Sequence, residues 1–307
     1  MCTKPMSVCT NGLPSLCKNI PGWMRRCLWE NQPGHDIGRQ LEDGIRAFDI
    51  DTCVTADKRV VTCHGKGPSR ALGAPLDEHL RQIRAFLRRN PREVITLEYN
   101  DYDGDIVVNG LAIKQAVERY LGGMLHAHGG PGRPWPTLGE MLSKGKQVVV
   151  FFGEQIRHLP LSKPPAWGHY RYAYYDSTWN YTNIAHDSEG VIKAMYNYVA
   201  SNKAKPNVWQ CLDFEYSPSI RSIMANMAQL EQPAVCLKRL AREIAPGLEA
   251  IAATYSARFE RIHRVRVDYY YNRKEQLLNV VERLNARNLR IVDAINRGRS
   301  NHRRNTS

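Results

Sequence analysis

No apolar run in this chain approaches the ~18 to 20 residues that cross a bilayer as a helix, so no helical membrane span is expected. No CxxC pair occurs among its eight cysteines, Cys2, Cys9, Cys17, Cys27, Cys53, Cys63, Cys211 and Cys236. That excludes a zinc ribbon and leaves an even set suited to disulfides and export. The sequons at Asn180 and Asn305 are compatible with export. No apolar targeting region follows Met1, and the opening MCTKPMSVCTNG reads as a mature or truncated start. Acidic residues are in deficit: 30 Asp and Glu stand against 43 Lys and Arg, a net charge of +13. Such an excess suits acidic partners, anionic lipid head groups or nucleic acid. The basic residues are spread along helical stretches such as 81–92 and 258–290, not gathered in an aromatic-laced patch, so no nucleic-acid partner is expected.

What is present suffices for a core. With 43% hydrophobic residues in 307, the chain can form one large α/β domain or two small ones. A cysteine-rich N-terminal segment, 1–34, lacks periodicity. A short helix over 36–41 follows, with Asp36 as its N-cap, then strands over 45–51 and 60–63. Cys53 and Cys63 flank that strand pair as a disulfide or as two buried thiols. Leu76, Leu80, Ile83 and Leu87 recur at helical spacing, so 76–89 is an amphipathic helix closed by Asn90-Pro91. Further along come a strand over 93–99, a helix over 110–121, a Gly/Pro loop over 126–136, a capping box at Thr137 and Glu140, and a buried strand over 147–152. The aromatic stretch 153–187 is irregular, and its 167–181 part is a cleft rim, a membrane contact or ordinary loop packing. A helix over 188–200, a strand over 208–214, helices within 218–261, a last strand over 263–271 and a helix over 274–288 complete the pattern. Residues 297–307 form a basic tail expected to be disordered. Six strands alternating with helices imply a parallel sheet. In one domain spanning 35–296, a (β/α) TIM-type barrel is the natural closure.

One stretch concentrates charge chemistry. Side chains two apart on a strand share a face, so Asp49 and Asp51 point the same way while Arg46 has the other parity. His64 ends the neighbouring strand, Glu98 lies near the end of the next, and Asp268 lies within the last. Barrel enzymes place their chemistry at the C-terminal ends of strands. Arg46 either contacts phosphate or forms a structural ion pair with Glu42 or Asp43. Lys66 is a phosphate ligand or a solvated loop lysine.

The ordered set QLEDGIR, FDID, CHG and NPREVITLE, within Asn31 to Tyr102, resembles the X domain of phosphatidylinositol-specific phospholipase C and its secreted phosphodiesterase relatives. A fainter likeness runs to about Leu284. The resemblance implies a distorted TIM barrel and cleavage of a phosphodiester by an internal hydroxyl. A first histidine, in a Thr-His-(Asn/Asp)-Ser motif, acts as base; a second protonates the leaving oxygen. His64 matches the second. Asp268 matches a last-strand aspartate that orients the first. Asp49, Asp51 and Glu98 match the acidic positions that hold calcium in the metal-dependent branch; metal-independent relatives carry basic residues near the positions of Asp51 and Glu98. Three converging carboxylates suit a hard divalent ion, Ca²⁺ before Mg²⁺.

One departure matters. In relatives the first-histidine strand lies between the cysteine-bounded segment and the Asn-Gln element. Here Cys17 is followed by KNIPGWMRRCLWE and then Asn31-Gln32, which leaves no room for it. His35 falls after Asn31-Gln32 and does not replace it. The barrel is therefore expected to lack its first strand, and the activity to be impaired. The expectation is a secreted, monomeric phosphoric diester hydrolase acting on a phospholipid or inositol phosphodiester, with peripheral membrane contact. The alternative is an inactive protein that binds phosphoinositide or anionic membrane.

Overall fold

The computed structural model describes residues 34–64, 71–153, 167–170, 174–177, 188–203, 205, 207–215, 237–258 and 262–304. The cysteine-rich segment short of Gly34, Lys66 and most of the aromatic stretch lie outside these residues. The described residues form two compact units: 34–175 in the first, and 176–304 in the second apart from 207, 208, 237 and 238, which go with the first.

In the first unit, helix α1 (Ile37–Glu42) starts at Asp36, whose carboxylate accepts from the Arg39 N–H at 2.8 Å. Strand β1 (Ala47–Val54) turns through Thr55–Arg59 into β2 (Val60–His64), and the turn is closed by Thr55 N–H donating to the Arg59 carbonyl at 2.9 Å. A turn this short permits only an antiparallel neighbour. The expected all-parallel sheet is corrected here: β1–β2 and the pairing of β2 with β3 (Ala71–Pro75) are antiparallel. Helix α2 (Leu76–Arg89) buries the anticipated Leu76, Leu80, Ile83 and Leu87. Strand β4 (Ile95–Asp103), helix α3 (Ile106–Leu121), capped by Asp105, and helix α4 (Leu138–Ser143), with the capping box of Thr137 and Glu140, precede strands β5 (Val148–Phe152) and β6 (Gly168–Tyr170). Strand order is β3-β2-β1-β4-β5-β6, parallel from β1 to β6.

The sheet has two distinct faces. Phe48, Ile50, Leu97, Tyr99, Val148, Val150 and Phe152 pack into one core with Ile37, Leu41, Leu80, Ile83, Leu87, Ile113 and Val117 of the helices. The alternate residues form a row on the other face: Asp49 opposite Glu98, Glu98 opposite Phe151, and Phe151 opposite His169. Period-two alternation thus puts carboxylates, an aromatic ring and an imidazole in one line. At the end of β5, Gly153 N–H donates to the Tyr99 carbonyl at 2.8 Å. A Cβ there would stand 2.5 Å from the Asn100 carbonyl oxygen, so this approach requires glycine.

The second unit comprises β7 (Tyr175–Ser177), α5 (Ser188–Ser201), β8 (Trp209–Phe214), α6 (Leu237–Ile244), α7 (Leu248–Arg258), β9 (Arg264–Val267) and α8 (Lys274–Arg304). Its sheet runs β7-β8-β9, with β8 and β9 parallel. Stacked rings of Tyr198 and Tyr255, 6.0 Å apart, join α5 to α7. The alternate face of β8 and β9 carries a buried ionic group. Asp213, fully buried, meets Arg266 Nε at 2.9 Å and Arg264 Nη2 at 3.3 Å, and Arg266 Nη2 reaches Glu215 at 2.8 Å. Ser177 also donates to Asp213. Strand β9 is shorter than the expected 263–271: Tyr269 takes a left-handed conformation, φ 48°, and a 3₁₀ turn follows over Tyr270–Arg273. Helix α8 continues to Arg304, so residues 297–304, expected to be disordered, are helical. No proline interrupts them and their arginines are good helix formers.

Candidate active site

Cys53 and Cys63 are joined by a disulfide between β1 and β2, which resolves the two readings left open by sequence. The bond flanks the charged end of the strand pair. Cys53 lies two residues past Asp51, and Cys63 precedes His64. There His64 Nδ1 stands 3.5 Å from Asp51 Oδ2, the imidazole 41% exposed and the carboxylate 23%. Substrate-sized groups can therefore reach the ring while its acidic neighbour is half-sheltered.

Asp49 and Glu98 face each other across β1 and β4, with Glu98 fully buried. Tyr102, also buried, donates its hydroxyl to the Tyr99 carbonyl. Burial first, and then the negative charges of Glu98 and Asp49, push its pKa well above the ordinary phenol value. Both carboxylates thus act on one spot. The expected trio is only partly assembled: Asp49 and Glu98 converge, while Asp51 is next to His64. Oxygen donors of this kind suit a hard divalent ion. Among the described residues, however, no three His, Cys, Asp or Glu side chains are gathered closely enough to hold one. Tyr102 was not anticipated, because the β-bulge that shifts the register between Ile50 and Thr52 is invisible in residue types.

Arg46 is committed elsewhere. Its Nε donates to Glu93 at 2.8 Å, its Nη1 to the Leu41 and Ile45 carbonyls at 2.7 and 2.9 Å, and its guanidinium lies 4.7 Å over the Phe86 ring. Of the two readings open for Arg46 this is the structural ion pair, and its partner is Glu93 instead of Glu42 or Asp43. Those two pair with Arg89 and Arg39. Arg46 lowers the Glu93 pKa, chiefly by its hydrogen bond. A depressed carboxylate adds stability above its unfolded pKa and loses it as pH falls through the folded one. Arg46→Met is expected to cost about 1 kcal/mol at neutral pH, discounted for partial exposure, with hydrolysis unchanged. Denaturant unfolding at pH 7 and pH 3 checks it, since the difference between variant and parent should shrink at the lower pH.

Asp268 lies in the second unit, one residue beyond β9, beside Tyr269 and Arg273 in the lining of a small cleft. It sits after the strand instead of within it. A further group escaped the sequence reading. His126, His128, Trp135, Phe151, His169 and Tyr174 form a ring cluster in the first unit, although the alternation His126-Ala127-His128 was there to be seen.

A family model described as PI-PLC X 1 matches residues 24–188. The solved structure of phosphatidylinositol-specific phospholipase C from Listeria monocytogenes is similar over 92% of this chain and 90% of its own, with a TM-score of 0.59 and 16% identity. A mutant of the Staphylococcus aureus phosphatidylinositol-specific phospholipase C is similar over 84% of each chain, with a TM-score of 0.55 and 18% identity. Likeness at this identity establishes a shared α/β fold. An uncharacterized secreted protein of Arthroderma benhamiae is 28% identical over 164 residues, which are 48% of this chain and 36% of that one. The match thus spans about a third of that relative's length.

Proposed function

Because this chain belongs to the PI-PLC X-domain family, we propose that it is a phosphoric diester hydrolase acting on a phosphatidylinositol-type phosphodiester, on the distorted barrel its relatives imply. The observation that carries this reading is His64, at the end of β2 and 3.5 Å from Asp51. Asp51 orients the ring through Nδ1. Nε2 then gives a proton to the leaving oxygen as an internal hydroxyl of the substrate attacks phosphorus. By the resemblance Asp49, Asp51 and Glu98 are the residues that would hold a divalent cation, Ca²⁺ ahead of Mg²⁺, which when bound supplies positive charge to the phosphate oxygens; as they stand only Asp49 and Glu98 face each other, and Asp51 would have to join them. Asp268 matches the position of the aspartate that, in the relatives, orients the base for the attacking hydroxyl, and this sequence carries no Thr-His-(Asn/Asp)-Ser motif to supply that base. Lys66, two residues past His64, would meet the phosphate.

The sequence contains no Thr-His-(Asn/Asp)-Ser motif, and this favours a second reading, in which the site binds the head group with little or no turnover. Incubation with phosphatidylinositol vesicles separates the two. Release of an inositol phosphate supports the hydrolase. Calcium-dependent vesicle association that persists at high salt without product supports the binder. Export belongs to either reading, supported by the Cys53–Cys63 disulfide and by the description of the Arthroderma relative as secreted.

Cation binding has a readout that does not depend on activity. A ligand at 100 times its Kd stabilises the folded state by about 2.7 kcal/mol. Millimolar Ca²⁺ is therefore expected to raise the melting temperature by several degrees, and Glu98→Gln with Asp49→Asn to remove the rise. An unchanged melting curve for the parent chain overturns the metal assignment and leaves the role of His64 standing.

A further inference from the structure

We propose that the outward face of α2 is a docking site for a linear anionic polysaccharide, held by the guanidinium groups of Arg81, Arg84, Arg88 and Arg92. Helix α2 turns Leu76, Leu80, Ile83 and Leu87 into the core. Helical spacing puts Arg81, Arg84 and Arg88, three and four residues apart, on the opposite face. Arg92 follows just past the Asn90 cap, ahead of β4. Arg81, Arg88 and Arg92 are exposed, and Arg84 is half-buried. With a rise of about 1.5 Å per residue, the three helical arginines occupy about 10 Å of the axis, a straight track of positive charge.

Missing counter-charge is what distinguishes this face from an ordinary solvated surface. Arg89, on the flank of the same helix, pairs with Glu42, and Arg39, Arg46, Arg59 and Arg119 of this unit each meet a carboxylate. Arg81, Arg84, Arg88 and Arg92 meet none among the described residues. Asp77, in the first turn of α2, is taken by Arg119 at 3.6 Å. Like charges three and four residues apart on a helix repel one another, so the row gains from an external anion. The planar fork of each guanidinium offers paired N–H donors to the oxygens of such an anion.

Position and surroundings select the partner. Helix α2 ends where β4 begins, so the row runs toward the N-terminal ends of β1 and β4. Ala47 is level with Thr96 there, and Asp51 lies further along β1 by about 13 Å. A polymer on the row therefore leaves His64 open. A bilayer fits poorly, because interfacial helices combine basic residues with large apolar ones. The exposed residue between these arginines is Ala85, and the exposed large hydrophobics of the described residues, Leu138, Tyr196 and Leu289, lie on other elements. Single-stranded nucleic acid stacks on aromatic side chains, and the one aromatic ring of α2, Phe86, is buried. The choice of a glycan rests on the export half of the proposed function, which the Cys53–Cys63 disulfide supports.

The test titrates the full chain with heparin as the probe, and no readout involves hydrolysis. If four contacts each release a counterion as on a single nucleic-acid strand, affinity should fall roughly 50-fold between about 50 and 200 mM salt. The quadruple variant Arg81→Gln, Arg84→Gln, Arg88→Gln, Arg92→Gln should bind at least about tenfold more weakly at low salt, with circular dichroism unchanged. An equal loss of charge at the end of α8, by Arg297→Gln, Arg299→Gln, Arg303→Gln and Arg304→Gln, should leave affinity within about twofold of the parent. Failure of the folded parent chain to bind heparin overturns the proposal. So does undiminished binding by the α2 variant, or an equal loss in the α8 variant, which would put net charge in place of the row. Tighter binding of a DNA duplex or of anionic phospholipid vesicles through the same four arginines also overturns it, by replacing the occupant.

Discussion

His64→Ala is expected to lower turnover of phosphatidylinositol by about 10²- to 10⁴-fold, the range for losing a general acid, with almost no change in stability. The two halves of that expectation come from different observations. The imidazole is 41% exposed and its ion partner stands 3.5 Å away. Removing it opens no cavity, and partly exposed pairs at such distances contribute at most about 1 kcal/mol. Proton donation to the leaving oxygen, by contrast, occurs only in the transition state. The loss should therefore appear equally in kcat and in kcat/KM, with KM unmoved. Steady-state hydrolysis beside a thermal melt gives both numbers. A variant as active as the parent would remove His64 from the reaction.

Asp213→Ala should have the largest effect on stability, about 3 to 5 kcal/mol, because it strips a shared carboxylate from two buried guanidiniums. Asp213 is fully buried and within 3.3 Å of Arg264 and 2.9 Å of Arg266, whose side chains are 3% and 6% exposed. Arg266 keeps its pairing with Glu215 at 2.8 Å. Asp213→Leu combined with Arg264→Met removes one charge of each sign and fills the volume, so it should recover much of the loss. Urea unfolding of the two variants decides the matter. Equal destabilisation by single and double replacement would show that packing, not charge, holds this face together.

The elements legible in the sequence were those written by side-chain period or by caps. Helix α2 appears with its four apolar residues buried, and α1 and α4 begin at the capping residues Asp36 and Thr137. Short pieces were not legible. Strands β6 and β7 are three residues long, below the window in which alternation can be told from chance, and β3, Ala-Leu-Gly-Ala-Pro, contains no β-branched or aromatic residue. The end of β9 was overrun because Tyr269 is an aromatic residue of high strand propensity, and nothing in its type announces a left-handed turn. In the site, alternation put Asp49 and Asp51 on one face and adjacency put His64 on the neighbouring strand, but neither announced that Asp51 would lie beside His64. Nor was the partner of Arg46 announced: Glu93 is 47 positions away and is brought near by the β1–β4 register. The ring cluster was hidden for the same reason, since His169 meets His126 only once β5 and β6 are paired.

The position of the Cys53–Cys63 bond gives the site a dependence on its surroundings. Beyond that bond, β1 and β2 are held together at this end by the register pairs Thr52–Thr62, Cys53–Val61 and Val54–Val60. Reduction would release the covalent tie one residue from His64 and two from Asp51, and so loosen the pair on which the proposed proton transfer rests. The same polypeptide kept at a cytosolic glutathione potential would carry every residue of the site without the clamp that sets their spacing. The spacing of Asp51 and His64 is in this sense completed by the oxidation that forms the disulfide.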